Sequence, residues 1–166
     1  HLSIRRQRQM CIRDSCNQVG LTSVHDMGTS LREWKILKEL ESSRQLTLRI
    51  TSYLNSSVLE DKWNKLPQPE REGLFRTMGV KLFVDGALGS RGAFLLEPYS
   101  DRPNSKGLLL SSQQELNAHV QKLHHRGLQV AMHAIGDAGN KIAIDTLLKV
   151  SNNVHSPRHR LSLIHI

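Results

Sequence analysis

Short strand-like runs alternate with helix-length amphipathic runs along this 166-residue chain, and that alternation constrains the fold more than any other feature. Residues 21–26 read as a strand, and 30–43 as a helix carrying Leu31, Trp34, Leu37 and Leu40 on one face. Residues 46–54 return to a period of two through Leu48 and Ile50, and 58–66 read as a helix that stops before Pro67 and Pro69. A strand at 79–85 precedes about twenty residues of irregular sequence reaching Lys106. Ser112-Gln113-Gln114-Glu115 has the form of a capping box and opens a helix with Leu116, Val120 and Leu123 at helical spacing, stopped at Gly127. Residues 128–134 read as a strand and 141–150 as a helix. Strands separated by helices of this length predict βα units on a parallel sheet, an α/β fold with no internal repeat and no low-complexity tract.

The length suits one ordinary core. The formal charge of +8 falls to +5 once residues 1–15 are set aside, because that segment holds Arg5, Arg6, Arg8 and Arg13 against Asp14 alone. No basic stripe with interleaved aromatics occurs, so a nucleic-acid partner is not expected. No apolar run approaches the roughly 18 residues needed to span a bilayer, and no signal peptide is readable, so no membrane role is expected. Cys11 and Cys16 form a C-x4-C pair, a weak metal or disulfide signal. They are read as free thiols in a reducing compartment, the cytoplasm by default. Oligomeric state is not readable.

The stretch from Gly79 to Gly92 carries the strongest hint of chemistry. It sets Lys81 inside an apolar strand and then breaks into a loop with Gly86, Gly89 and Gly92. Alternation places Lys81, Phe83 and Asp85 on one face and Val80, Leu82 and Val84 on the other. A buried lysine must shed its charge, find a partner or be chemically modified, because an isolated buried ammonium is too costly. A lysine in a strand can also be an edge residue or one half of an ion pair. The glycines do not form a P-loop, since the lysine precedes them, and they suit a tight turn. Long irregular loops of this kind are often lids or binding loops, and working residues of parallel α/β folds gather where strands end.

His133 ends the later strand on the same face as Ala131, with Asp137 within a turn of the same mouth. A neutral imidazole there is a good zinc ligand, or else a hydrogen-bonded structural residue. His124 and His125, at a polar helix end, are expected to be solvated.

The strings GVKLFVDGALGSRGAFLLEPYSD, GLLLSSQQEL and LQVAMHAIGD, in this order and spacing, resemble the amidohydrolase superfamily. The nearest likeness is to its family 3 branch, which includes N-substituted formamide deformylases, and GLTSVHDMG at 20–28 resembles an earlier strand of that branch. The resemblance covers residues 16–160. It implies a partial (β/α)8 barrel of the metal-dependent hydrolase type, with about four or five of eight strands present. It implies one or two divalent ions, zinc foremost, with Lys81 as a carboxylated bridging ligand and His133 as a histidine ligand. These two are also the implied catalytic residues. A carbamate on Lys81 supplies two anionic oxygens where an ammonium repels metal. The implied substrate is a small amide or N-substituted formamide, cleaved at a non-peptide carbon–nitrogen bond by a metal-activated water.

The sequence departs from that pattern in three places. The family's His-x-His pair is absent, and so is its aspartate after the last strand. Arg160 matches the start of an Arg-Ile-Glu-His motif, but Leu161-Ser162-Leu163 follow it and His165 falls two positions late. Residues 1–15 and 161–166 resemble translated sequencing-adaptor read-through of metagenomic reading frames and are read as non-native ends around the 16–160 domain. On this basis the chain alone is expected to be inactive, and an open partial barrel is expected to self-associate through unpaired edges. Two alternatives stay open: a Schiff-base aldolase or lyase using Lys81 as nucleophile, and a non-catalytic α/β binding module.

Overall fold

The computed structural model describes residues 2–61, 63–151 and 160–162, which fall into two compact units, His1–Val80 and Lys81–Ile166. In the first unit, helix α1 (Leu2–Gln18) precedes strand β1 (Ser23–Thr29), helix α2 (Leu31–Ser42), strand β2 (Arg49–Asn55) and the short helix α3 (Val58–Asp61). Strand β3 (Phe75–Phe83) begins in this unit and ends in the second. The second unit continues with helix α4 (Gln113–His125), strand β4 (Gln129–His133), helix α5 (Asp137–Ser151) and the short strand β5 (Arg160–Ser162).

Sequence logic accounts for the first unit. Ser30 caps α2 through a reciprocal pair of bonds: its Oγ accepts the Glu33 N–H, and the Glu33 carboxylate accepts the Ser30 N–H. The helix then buries Ile36, Leu37 and Leu40 against Leu46, Leu48, Ile50 and Phe75. β1 and β2 run parallel, in register from Ser23 opposite Arg49, with a shift between Met27 and Thr29. Strand order within this unit follows the chain, β1-β2-β3. Parallel neighbours joined by a helix are the βα repeat that the alternation predicts.

The second unit repeats the scheme in the order β3-β4-β5, and β4 pairs with β5 in parallel. All five residues of β4 are buried, as expected for a strand covered on both faces. Ser112 and Glu115 form the second capping box, and α4 packs on α5. The five strands among the described residues, parallel where paired and joined by helices, form an α/β fold of partial (β/α)8 type.

Several boundaries differ from those expected. β3 starts at Phe75, four residues early, beside a bridge between Glu70 and Thr77, and stops at Phe83 instead of 85. The helix expected over 58–66 is instead α3 followed by a 3-10 turn at Trp63–Lys65. α5 begins at Asp137, whose carboxylate suits the first turn of a helix, ahead of the expected 141. His125 is exposed, but His124 is buried, contrary to expectation. It follows Leu116 and Val120 at intervals of four and so shares their inward face. Among the described residues no helix is long and apolar enough to cross a membrane.

Candidate metal-binding site

Lys81, in the last turn of alternation along β3, is only 4% exposed. No carboxylate pairs with it among the described residues, so neither the edge position nor the paired charge describes it. What faces its Nζ is the Phe83 ring, whose centroid is 5.2 Å away. Burial lowers the Lys81 pKa from its ordinary value, because the ammonium loses water and gains no compensating anion.

His133 closes β4 and is also buried. Its ring centroid lies 5.7 Å from that of Phe83, so one aromatic ring touches both candidate ligands. Phe83 itself is 38% exposed, at the open end of the strand. The imidazole Nε2 lies 3.8 Å from Asp85 Oδ1, and Nδ1 is buried with no hydrogen-bond partner.

Asp85 is the best-anchored side chain of the site. Its Oδ2 accepts the backbone N–H of Phe94 at 2.9 Å and of Gly136 at 2.8 Å, and its Oδ1 accepts that of Ile135 at 3.0 Å. A carboxylate taken out of water is held by such donors as firmly as by a counter-ion. The backbone must come close for this. A Cβ on Gly136 would stand 1.9 Å from the Phe94 carbonyl oxygen, and one on Gly139 would stand 2.5 Å from Asp85 Oδ2. The sequence places Asp85 at the loop mouth but does not reveal this clamp. The one available signal was an aspartate directly before a glycine-rich turn.

The loop after β3 is irregular but not loose. Gly86 and Gly92 close a tight turn, Tyr99 donates its hydroxyl to the Ala93 carbonyl at 2.8 Å, and Arg91 pairs with Asp101. Asp137 turns toward this loop, accepting the Leu96 N–H at 2.9 Å, and does not join Lys81 and His133. Residues 163–166, with His165, lie outside the described residues.

Two observations fit a cation at this place. Among the described residues, His133 offers a buried nitrogen without a hydrogen-bond partner, and Lys81 is a buried amine with its charge disfavoured and no carboxylate beside it. Two donors do not complete a coordination shell. Among the described residues, no group of three or more His, Cys, Asp and Glu is arranged to hold a metal.

Comparison with known proteins gives a consistent picture. Residues 13–166 match the model of the amidohydrolase family. The chain is 34% identical over 142 residues to Protein LONG AFTER FAR-RED 3 of Arabidopsis thaliana, covering 76% of this chain and 24% of that protein. It is 34% identical over 100 residues to "Putative amidohydrolase YtcJ" of Bacillus subtilis (strain 168), covering 60% and 18%. Two solved structures are also similar. An uncharacterized metal-dependent hydrolase from Pyrococcus horikoshii OT3 superposes with a TM-score of 0.83 at 31% identity, over 90% of this chain and 31% of that one. One from Pyrococcus furiosus gives 0.79 at 36% identity, over 86% and 30%. The chain thus spans between 18% and 31% of the length of these relatives. By its family match over residues 13–166, the chain belongs to the amidohydrolase family, in its family 3 branch.

Proposed function

We propose that this chain is part of a metal-dependent hydrolase that cleaves a non-peptide carbon–nitrogen bond in a small amide or N-substituted formamide. Lys81 and His133 are its contribution to the metal site. The observation that carries this is a buried lysine with no carboxylate partner among the described residues and a buried histidine whose Nδ1 has no hydrogen-bond partner among them, both against the Phe83 ring. A neutral Lys81 amine adds to carbon dioxide: the nitrogen lone pair forms the new N–C bond, one N–H proton leaves to solvent, and a carbamate remains. That anion and the His133 nitrogen would hold a divalent metal, zinc foremost. Such an ion, when bound, polarises a carbonyl and lowers the pKa of water. Within the chain, the Phe83 ring faces the Lys81 amine, and burial lowers the Lys81 pKa, which eases the loss of the proton that this addition requires.

Among the described residues the chain offers two donors, and on its own it is expected to be inactive. In a protein carrying the whole barrel, metal content and hydrolysis of N-substituted formamides should both fall with Lys81→Met and with His133→Ala. Retention of metal and activity by both variants would defeat the proposal, and zinc-dependent hydrolysis by the purified 166-residue chain would overturn the expected inactivity. A second possibility draws on the same lowered Lys81 pKa: a neutral amine is also a Schiff-base nucleophile. Borohydride trapping of a carbonyl substrate on Lys81, without bound metal, would favour it.

A further inference from the structure

We infer that Asp85 is the positioning residue for His133: it fixes the strand end that carries the imidazole and selects which ring nitrogen is left free. This rests on the ligand role proposed above for His133. The carboxylate gathers three backbone N–H groups from two segments far apart in sequence, Phe94 in the loop after β3, and Ile135 and Gly136 just beyond His133. The two segments are tied a second time, because the Gly139 N–H donates to the Phe94 carbonyl at 3.1 Å. The loop and the turn after β4 are therefore one hydrogen-bonded unit with Asp85 at its centre. That accounts for the two sequence motifs, VDGALGS and HAIGD, as halves of a single device.

The same carboxylate acts on the ring. Asp85 Oδ1 stands 3.8 Å from His133 Nε2, too long for a hydrogen bond but close enough for its charge to favour the tautomer protonated at Nε2. Nδ1 is then left with its lone pair, and it is the atom that is buried without a partner. No other carboxylate is paired with His133 among the described residues. Carboxylates behind a histidine ligand set its orientation in this way.

Two variants separate positioning from mere support. Asp85→Asn keeps the shape but turns an amide N–H₂ toward one of the backbone donors. Gly139→Ala keeps the charge but drives a methyl group against Oδ2, 2.5 Å from where its carbon must sit. In the isotopically labelled 166-residue chain, the expected result is that hydrogen exchange at Phe94, Ile135 and Gly136 speeds up about tenfold or more, as loss of a charged hydrogen bond implies. The core amides of α2 and β2 should be unchanged. The ring nitrogen resonances of His133 should move from a single Nε2-protonated pattern toward a mixture of tautomers.

Faster exchange with an unmoved His133 spectrum would make Asp85 structural only and overturn the inference. So would unchanged exchange. If Asp85→Asn does not fold, Gly139→Ala decides. If neither folds, the carboxylate supports the whole fold and the local role is refuted. No metal enters these spectra, so their failure is distinguishable from failure of the hydrolase proposal.

Discussion

The Nζ of Lys81 stands 5.2 Å from the centroid of the Phe83 ring, two residues further along the same strand. A cation over a ring gains about 0.5–2 kcal/mol, less than the cost of burying an unpaired ammonium. Burial therefore outweighs the ring contact, in keeping with the lowered pKa of Lys81. Addition of isotopically labelled bicarbonate should give a carbamate carbon resonance in the wild-type chain and none in Lys81→Met.

The same substitution should raise stability at neutral pH by about 1 kcal/mol or more. A folded-state pKa below the unfolded value of 10.5 means that the unfolded lysine binds more protons in between. Wild-type stability then rises with pH through that window, and the advantage of Lys81→Met shrinks toward pH 10.5. Urea midpoints of the two proteins across pH measure this, and a constant difference would count against it.

Asp26 should give the opposite slope. Burial holds its carboxyl above the ordinary value of 3.8, with the Glu33 charge adding and a hydrogen bond from Thr29 opposing. Since the folded pKa is the higher one, the folded state binds more protons between the two values. The contribution of Asp26 is full below 3.8 and is lost as pH rises through its folded pKa. Compared with Asp26→Asn, the wild type should lose urea resistance as pH climbs from 3.8 through its folded pKa and then run parallel to it.

What the sequence makes legible follows from which groups carry the information. The Ser112 capping box is a side-chain pattern, so it marks the start of α4 to the residue. Alternation puts Lys81 and Phe83 on one face of β3 and His133 at the end of β4, where the structure has them. The clamp around Asp85 is hidden because its donors are backbone N–H groups, which every residue but proline possesses. Its partners at 135 and 136 are also fifty residues away, beyond any local pattern. The early start of β3 is hidden for a related reason. Phe75 to Met78 owe their extended form to pairing with other segments, such as the bridge to Glu70, and not to their own alternation.

Glu41 provides a test of buried polar accounting in the first unit. Its Oε1 accepts the N–H of the fully buried Phe75 at 2.7 Å, and its Oε2 accepts from Lys38 at 3.1 Å. Glu41→Ala should cost about 2 kcal/mol, because the Phe75 N–H is left without a partner away from water. Lys38 also reaches Glu70 at 2.6 Å, yet its pairs are half open to solvent. Lys38→Met should therefore cost less than about 1 kcal/mol. Denaturant titration of both variants checks the ranking, and equal losses would show that the ion pairs, not the orphaned amide, set the cost.

Glycines on the long loop divide into those that geometry demands and those it does not. Gly107 has φ of 94°, in the left-handed region, and a Cβ there would stand 1.9 Å from the Ala93 carbonyl oxygen. Gly107→Ala combines backbone strain with a clash against main chain that cannot swing aside, and should cost about 3 kcal/mol or more. Gly89, on the same loop, has no heavy atom within 4 Å of a built Cβ and no positive φ. Gly89→Ala should therefore fall within about 0.5 kcal/mol of wild type, or stabilise slightly through lost freedom of the unfolded chain. The pair isolates the loop's fixed backbone from its mere glycine content. If the two variants melted alike in urea, the path of the loop past Ala93 would not be the one that carries Gly107 to this position.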